Sequence, residues 1–492
     1  ASLQLGDVND TVKGAITFKS DDNSLRIRGH NNDDRIIITS GGKAIFSEEI
    51  ETPQDYPNFR PTLDFNFAAT KKLDPRLEYQ RTGTASFVNE FGKVVLVGDN
   101  SPRFDHDPIT RESKGLLIEE ERTNYQPYSV DMSQGANNNG VTVTNNQAIA
   151  PDGTLSASKI TGGTDQNTSQ RLGWNTQGVN SSTHTQWSIW VKSEETSCIV
   201  QIYSNTYTFG ADHMNIELAD GSTQGSTIDA NFRFSIEEYP NKWWKISWGG
   251  VGNASGSGGG MYLAVVPSMS STRAANTGSA HSKVWYAWGL QEEVAASARF
   301  TTSYIPTYGT TATRGRDELT MSGSDLTDVF NNEEGTMFYE ASLGDLTNDN
   351  QPIAVFRDVS GTTSDYHAMG FAIGGSNPSI RTWFRANGGN EHLSAHTSTG
   401  LTANMFYKHI YGYKDADCAD AYRTPTNSGI LSNQVGNGSP MIASGLVDEL
   451  RFGGYYAYES QPVTYGLDAG HIKRFSYWPQ KLTNSQLTTY IS

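Results

Sequence analysis

The chain is 492 residues long, room for two to four domains of ordinary size, and its formal charge is −16. No Lys/Arg stripe is present to meet phosphates, and the negative field opposes anionic membrane surfaces, so direct nucleic-acid binding and membrane insertion are not expected. With 49 Gly, 23 Tyr and 10 Trp beside only 18% charged residues, the composition is that of aromatic strands joined by Gly- and Asn-rich turns, not of a disordered chain.

Residues 1–50 read as a small β unit. Ala15-Ile16-Thr17-Phe18, Ser24-Leu25-Arg26-Ile27-Arg28, Arg35-Ile36-Ile37-Ile38-Thr39 and Lys43-Ala44-Ile45-Phe46 are strands separated by turn clusters. Such a meander buries little alone and is expected to pack against other copies or another protein. Its first residues, Ala1-Ser2-Leu3-Gln4-Leu5-Gly6-Asp7, show neither a basic nor an apolar leader segment, so no signal peptide is expected there. No apolar run approaches the roughly 18 residues of a membrane helix.

Residues 51–124 are expected as a linker, with Pro53, Pro57 and Pro61, followed by a loop-rich connector with short strands such as Lys93-Val94-Val95-Leu96-Val97. Residues 125–314 carry regular strand signals. Gln186-Trp187-Ser188-Ile189-Trp190-Val191-Lys192 sets Trp187, Ile189 and Val191 on one face, and Trp243-Trp244-Lys245-Ile246-Ser247-Trp248 sets Trp244, Ile246 and Trp248 together. Further strands follow at 199–203, 261–266 and 284–288. Residues 315–492 continue in the same style, with strands at 335–342, 352–356, 368–373, 380–384, 405–413, 445–452 and 471–478, then a short helix at about 483–491 capped by Thr483 or Asn484. The fold expected is all-β: a small N-terminal β unit, a connector, and two antiparallel β-sandwiches. Cys198 and Cys418 fall in different domains, which excludes a disulfide scaffold; Cys198, within Ser197-Cys198-Ile199-Val200, reads as a buried thiol.

Three stretches carry a family resemblance. Arg81-Thr82-Gly83-Thr84-Ala85, Pro102-Arg103-Phe104-Asp105-His106-Asp107-Pro108 and Gly115-Leu116-Leu117-Ile118-Glu119-Glu120-Glu121-Arg122-Thr123-Asn124 together resemble an element that precedes a β-sandwich in tailed-bacteriophage fibre proteins. Trp288-Gly289-Leu290-Gln291-Glu292-Glu293, Thr302-Ser303-Tyr304-Ile305-Pro306-Thr307 and Ala312-Thr313-Arg314 resemble the ending of that carbohydrate-binding-like jelly roll, with Glu292 in place of the usual Leu. The segment 471–487 is similar to the closing strand and helix of concanavalin A-like (laminin-G-like) sandwiches. The resemblance implies a structural fibre of the virion tail, homotrimeric, attached to other tail or neck proteins through residues 1–50, with its sandwiches (125–314 and 315–492) turned to host-surface glycan. Rival readings are a head or neck fibre or decoration protein without a receptor role, a polysaccharide-degrading tailspike, and a secreted lectin. No long β-helical repeat favours the tailspike, and the lectin should carry a signal peptide.

Chemistry-bearing residues are sparse. Glycoside hydrolysis needs two carboxyl groups across the scissile bond, and Asp448-Glu449 are strand neighbours that face opposite ways. Glu119-Glu120-Glu121 reads as a solvated loop or an interface element. Asp415, Asp417 and Asp420 have oxygen ligands for Ca²⁺ but lack the Gly and terminal Glu of an EF-hand, so an ordinary acidic loop is expected. His392 and His396, four apart, would suit zinc on a helix but lie in loop and strand sequence. No nucleophile elbow, P-loop or dinucleotide fingerprint occurs. No catalytic residue, metal or cofactor is expected. Trp243, Tyr366, Trp383 and Tyr411 are the candidates for stacking on glycan rings, weighed against core roles for strand aromatics.

Overall fold

The structure, a computed structural model, describes residues 2–7, 10–29, 34–42, 44–46, 60–135, 137–176, 183–204, 212–226, 232–251, 260–295, 301–344, 350–359, 366–372, 379–385, 392–397, 401–414, 417–425, 430–434, 447–453, 456–458, 461–465, 467 and 469–491. It divides into two units, Ala1–Phe59 and Arg60–Ser492.

The smaller unit is one antiparallel sheet of five consecutive strands, Ser2–Asp7, Asp10–Lys19, Ser24–Arg28, Asp34–Ile38 and Ala44–Phe46. Its first strand was not evident from the sequence. The register places Ile16 opposite Ile27, Phe18 opposite Leu25, Ile27 opposite Ile36 and Leu25 opposite Ile38. Alternation therefore collects these apolar side chains on one face. Ile16, Phe18, Leu25, Ile27 and Ile38 are each 36–48% exposed. The opposite face carries Arg26, paired with Asp22 and Asp34, and Arg28, 2.6 Å from Asp34.

In the larger unit the first sandwich packs two sheets. One runs in the order Val141–Ile149, Leu155–Gly162, Val284–Ala295, His184–Lys192, Trp243–Val251, Arg233–Tyr239. The other runs Arg171–Asn175, Gly260–Val265, Ile199–Ser204, His213–Glu217, Thr223–Ser226. Trp187, Ile189 and Val191 face inward as their spacing requires and meet Trp248, Ile202 and Leu263. Trp187 stacks on Trp248 with ring centroids 6.2 Å apart.

The second sandwich also has two sheets. The strand Ala469–Trp478 lies between Glu334–Leu343 and Ser113–Glu119, and Leu63–Phe65 pairs with its far half. Phe104–His106 extends this sheet on one side; Phe406–Lys414, Asp417–Arg423 and Ile430–Gln434 extend it on the other. The facing sheet runs His392–Thr397, Ser379–Arg385, Tyr366–Ala372, Asn350–Arg357, Glu449–Phe452, Glu318–Ser322, Glu78–Gln80.

Residues 61–124, expected as a connector, thus supply strands to both sheets of the second sandwich. The cause is side-chain chemistry: Phe65, Phe67, Leu116 and Ile118 share the core of Phe452 and Phe475. The hairpin Ala85–Val88 and Val94–Val97 instead covers the first sandwich. Its Val88 and Val94 pack on Trp190, Tyr239, Trp243, Trp288 and Tyr304. The closing helix, Asn484–Ile491, buries Leu487 and Ile491. Thr483 and Gln486 form a reciprocal cap, with Gln486 N–H donating to Thr483 Oγ1 at 3.3 Å and Thr483 N–H to Gln486 Oε1 at 2.8 Å.

Candidate functional site: a cleft above a buried charge knot

The fibre-like stretches converge. Arg103, fully buried, donates to Glu119 Oε2 (2.7 Å), to Ser303 Oγ (2.6 Å), to the Ser86 carbonyl (3.0 Å) and to Asp317. Arg314 donates to the same Glu119 oxygen and to the Glu120 carbonyl. Ser303 N–H donates to Glu119 Oε1 at 2.7 Å, and Glu119 N–H to Asp317 Oδ2 at 2.8 Å. Arg81 Nε lies 3.3 Å from Asp317 Oδ1, which also takes the Tyr79 hydroxyl. Burial works against the Glu119 charge, but Arg314, Arg103 and the Ser303 hydrogen bonds outweigh it and hold its carboxyl far below the usual range. Glu119 is therefore not solvated as one reading of Glu119-Glu120-Glu121 had it; Glu120 is half-buried against Arg122, and only Glu121 is exposed.

Beside this knot, between the sandwiches, runs a cleft of about 620 Å³. Its floor is the outer face of the first sandwich. The residues that alternate away from the inward tryptophans, Gln186 and Trp190, Lys245 and Ser247, Ser235 and Glu237, stand there, with Lys245 opposite Trp190 and Glu237 and with Ser247 opposite Ser235. Lys245 lies over the Trp190 ring, 5.1 Å from its centroid. The opposite wall includes Asp105, Lys114 and His471. Lys114 Nζ lies 4.0 Å from Glu237 Oε1, and His471 Nε2 lies 2.8 Å from Asp105 Oδ2. Burial raises the Asp105 carboxyl, yet the His471 hydrogen bond and the charges of His471 and Lys114 bring it below the ordinary value. Asp107 is likewise opposed by burial and held low by the Thr110 and Ile109 amides. Glu119 and Glu237 also line the cleft. Glu293 is pushed up by burial, but it is enclosed and accepts from Thr302 N–H (2.9 Å) and Gln291 Nε2 (2.9 Å).

The four aromatics named as glycan candidates do not form a site. Trp243, Tyr366, Trp383 and Tyr411 are all at most 3% exposed. Trp243 lies under the 85–97 hairpin with its indole N–H on the Ile149 carbonyl, 3.2 Å away. Tyr366 and Trp383 pack with Val355, Ala368 and Ala372. Tyr411 fills the second core and donates to Cys418 Sγ at 3.3 Å. A ring covered on both faces cannot stack on a sugar, so the core role prevails.

Asp420 sits on a strand, buried, 3.6 Å from His409 Nε2; Asp415 and the Asp417 side chain lie outside the described residues. His392 and His396 share one strand, and their side chains also lie outside the described residues. Among the described residues no three His, Cys, Asp or Glu side chains gather to hold a metal. Glu449 pairs with Arg357 (2.7 Å) and Arg451 (3.0 Å), and Asp448 accepts from Val359 N–H at 2.7 Å, so both are committed to structure. Glu292, the departure from the fibre pattern, is buried and accepts from Gln126 Nε2 at 2.6 Å. Cys198 and Cys418 are both buried, and neither forms a disulfide.

No family model matches the chain, and no curated protein matches it. Among solved structures, the NanB sialidase of Streptococcus pneumoniae is similar over 35% of this chain and 26% of its own length, at 14% identity and TM-score 0.26. This chain thus spans about a quarter of that protein. A heptameric SAP-like pentraxin of Limulus polyphemus is similar over 32% of this chain and 70% of its own (10% identity, TM-score 0.23). The mouse laminin alpha1 LG4-5 domains match over 62% and 85% (12% identity, TM-score 0.20). The fold assignment rests on the sheets described above, and the activities of these neighbours are their own.

Proposed function

We propose that the chain is a structural appendage protein of a tailed bacteriophage, a tail fibre, whose paired sandwiches present the inter-sandwich cleft to host-surface glycan. The observation that carries the reading is the charge knot. The stretches resembling fibre modules, 81–85, 102–108, 115–124, 302–307 and 312–314, supply Arg81, Arg103, Glu119, Ser303 and Arg314 to one buried cluster. Such a cluster would tie one sandwich to the next. The cleft beside them offers amide, hydroxyl and charged groups around apolar walls, which suits a polyhydroxylated chain. The apolar face of residues 1–59 supports attachment or self-association, and a homotrimer would multiply weak glycan contacts through avidity.

The test incubates the purified chain with host cells and extracted envelope polysaccharide, recording retention and new reducing ends together. Retention without new ends is expected. New reducing ends would replace the fibre reading with a polysaccharide-degrading spike, and neither signal would leave a head or neck structural role in its place.

A further inference from the structure

A second place in the molecule is built to meet a ligand, and it lies apart from the cleft and the knot. Tyr128 and Tyr308 are 40% and 75% exposed, although large aromatics normally gain by burial. They stand directly opposite each other in an antiparallel bridge, which sets their side chains on one face as neighbours. A Cβ added at Gly309 would lie 3.8 Å from the Tyr128 ring, so that ring runs along the bare backbone beside Tyr308.

The two segments are held rigidly. Gly309 N–H donates to the Pro127 carbonyl at 2.6 Å. Ser129 N–H donates to Thr307 Oγ1 and Thr307 N–H to Ser129 Oγ, both at 2.9 Å, while Thr307 Oγ1 donates to the Gln126 carbonyl at 2.6 Å. A rigid exposed aromatic pair loses little conformational entropy on binding.

Tyr128, but not Tyr308, lines a pocket of about 170 Å³, together with Pro127, Trp174, Asp131, Gln134 and Asn175. A cavity of about 150 Å³ accepts one six-membered ring. Asp131 is fixed by Ser133 N–H at 3.0 Å and Asn145 Nδ2 at 2.6 Å. Asn175 accepts from Asn137 at 2.7 Å through its side-chain oxygen, which turns its own amide N–H groups to other partners. The Gln134 amide reaches Asp131 only at 3.4 Å, a bond that a better acceptor would displace.

We propose that this pocket is a binding site for one uncharged pyranose unit, the ring stacked on Tyr128 and its hydroxyls bonded to Asp131 and Asn175, with Tyr308 opposite Tyr128 at the edge of the site. The carboxylate excludes anionic sugars by repulsion and accepts from hydroxyls. Hydrogen bonding to Ser133 and Asn145 outweighs burial and keeps Asp131 ionised. The ligand class follows from the pocket itself; only the source of the sugar, a host surface, rests on the fibre reading.

The test uses the full chain and saturation-transfer NMR with methyl β-glucopyranoside, methyl β-galactopyranoside and methyl N-acetyl-β-glucosaminide, with sialyllactose as the anionic probe. Transfer to ring protons of at least one neutral glycoside is expected. It should fall at least fivefold in Tyr128→Ala and in Asp131→Asn, with the melting temperature recorded as the control for folding. Silence from all neutral glycosides, equal transfer in Tyr128→Ala, or a stronger response from sialyllactose would overturn the site. So would protection of Tyr128 from N-acetylimidazole in sugar-free buffer, because the pocket wall would then be covered by another copy of the chain. Silence from the neutral glycosides with polysaccharide still retained would sink this site and leave the fibre reading standing; no retention even by the unaltered chain would count against that reading alone.

Discussion

Replacing Glu119 by Gln keeps the side-chain shape and removes one charge from the buried knot. Arg103 and Arg314 both donate to Glu119 Oε2, and both are inaccessible to water. The variant leaves three guanidinium groups, those of Arg81, Arg103 and Arg314, around the charge of Asp317 and neutral acceptors, and it turns an amide N–H₂ or a weaker carbonyl toward them. Removing one partner of a buried ion pair costs about 3–5 kcal/mol, because the remaining charge is neither paired nor hydrated. At roughly 2–4 °C per kcal/mol for domains of this class, the melting temperature should fall by roughly 6–20 °C. Thermal unfolding followed by circular dichroism at neutral pH reads this directly. The pH dependence has a definite sign. The folded carboxyl is held below its unbound value of 4.5, so its contribution is complete above that value and is lost as the pH falls toward the folded value. The parent chain should lose stability below pH 4.5 more steeply than Glu119→Gln. A variant melting within about 1 °C of the parent, or equal acid slopes, would refute the view that this charge joins the sandwiches.

Three further outcomes are expected. Gly115→Ala should destabilise by at least about 1–3 kcal/mol in urea titration, since Gly115 has φ +85° and an added Cβ would lie 2.3 Å from the Ile472 carbonyl oxygen; a neutral effect would mean the strand Ser113–Glu119 is not seated on Ala469–Trp478. Cys198, its thiol pushed up to about 12 by burial, should resist a disulfide reagent at pH 8 until denaturant is added, and rapid labelling of the folded chain at this residue would contradict its place in the core. Phe18→Asp, on the exposed apolar face of the N-terminal sheet, should lower the mass measured by light scattering; an unaltered chain that is already monomeric would remove self-association from the proposal.

Much of the sheet structure was legible because burial on one side writes period two into a strand. Trp187, Ile189 and Val191 declared their common face, and the helix after Trp478 declared its start through the cap candidates Thr483 and Asn484, of which the structure uses Thr483. Alternation failed where the second face is also covered. Trp243 looked available, yet the hairpin from residues 85–97 lies over it, and nothing local to its strand signals a cover that comes from so far back in the chain. Residues 61–124 looked like a connector because their strands are short; only pairing with the closing strand, more than 350 residues later, reveals them as part of a sheet. The exposed Tyr308 sat inside a stretch that resembled a known module, and its local sequence does not distinguish it from the buried Tyr304.

The sequence by itself determined the class of the protein: strands joined by turns and packed as antiparallel β-sandwiches. Those properties depend on side-chain alternation and backbone preference, which act over a few residues. The tertiary structure decided which aromatics are core and which are ledge, and it turned Arg81, Arg103, Glu119, Arg314 and Asp317 from scattered charges into one buried cluster. Charge burial depends on neighbours brought together from opposite ends of the chain, and a carboxylate's environment cannot be read until those neighbours are in place.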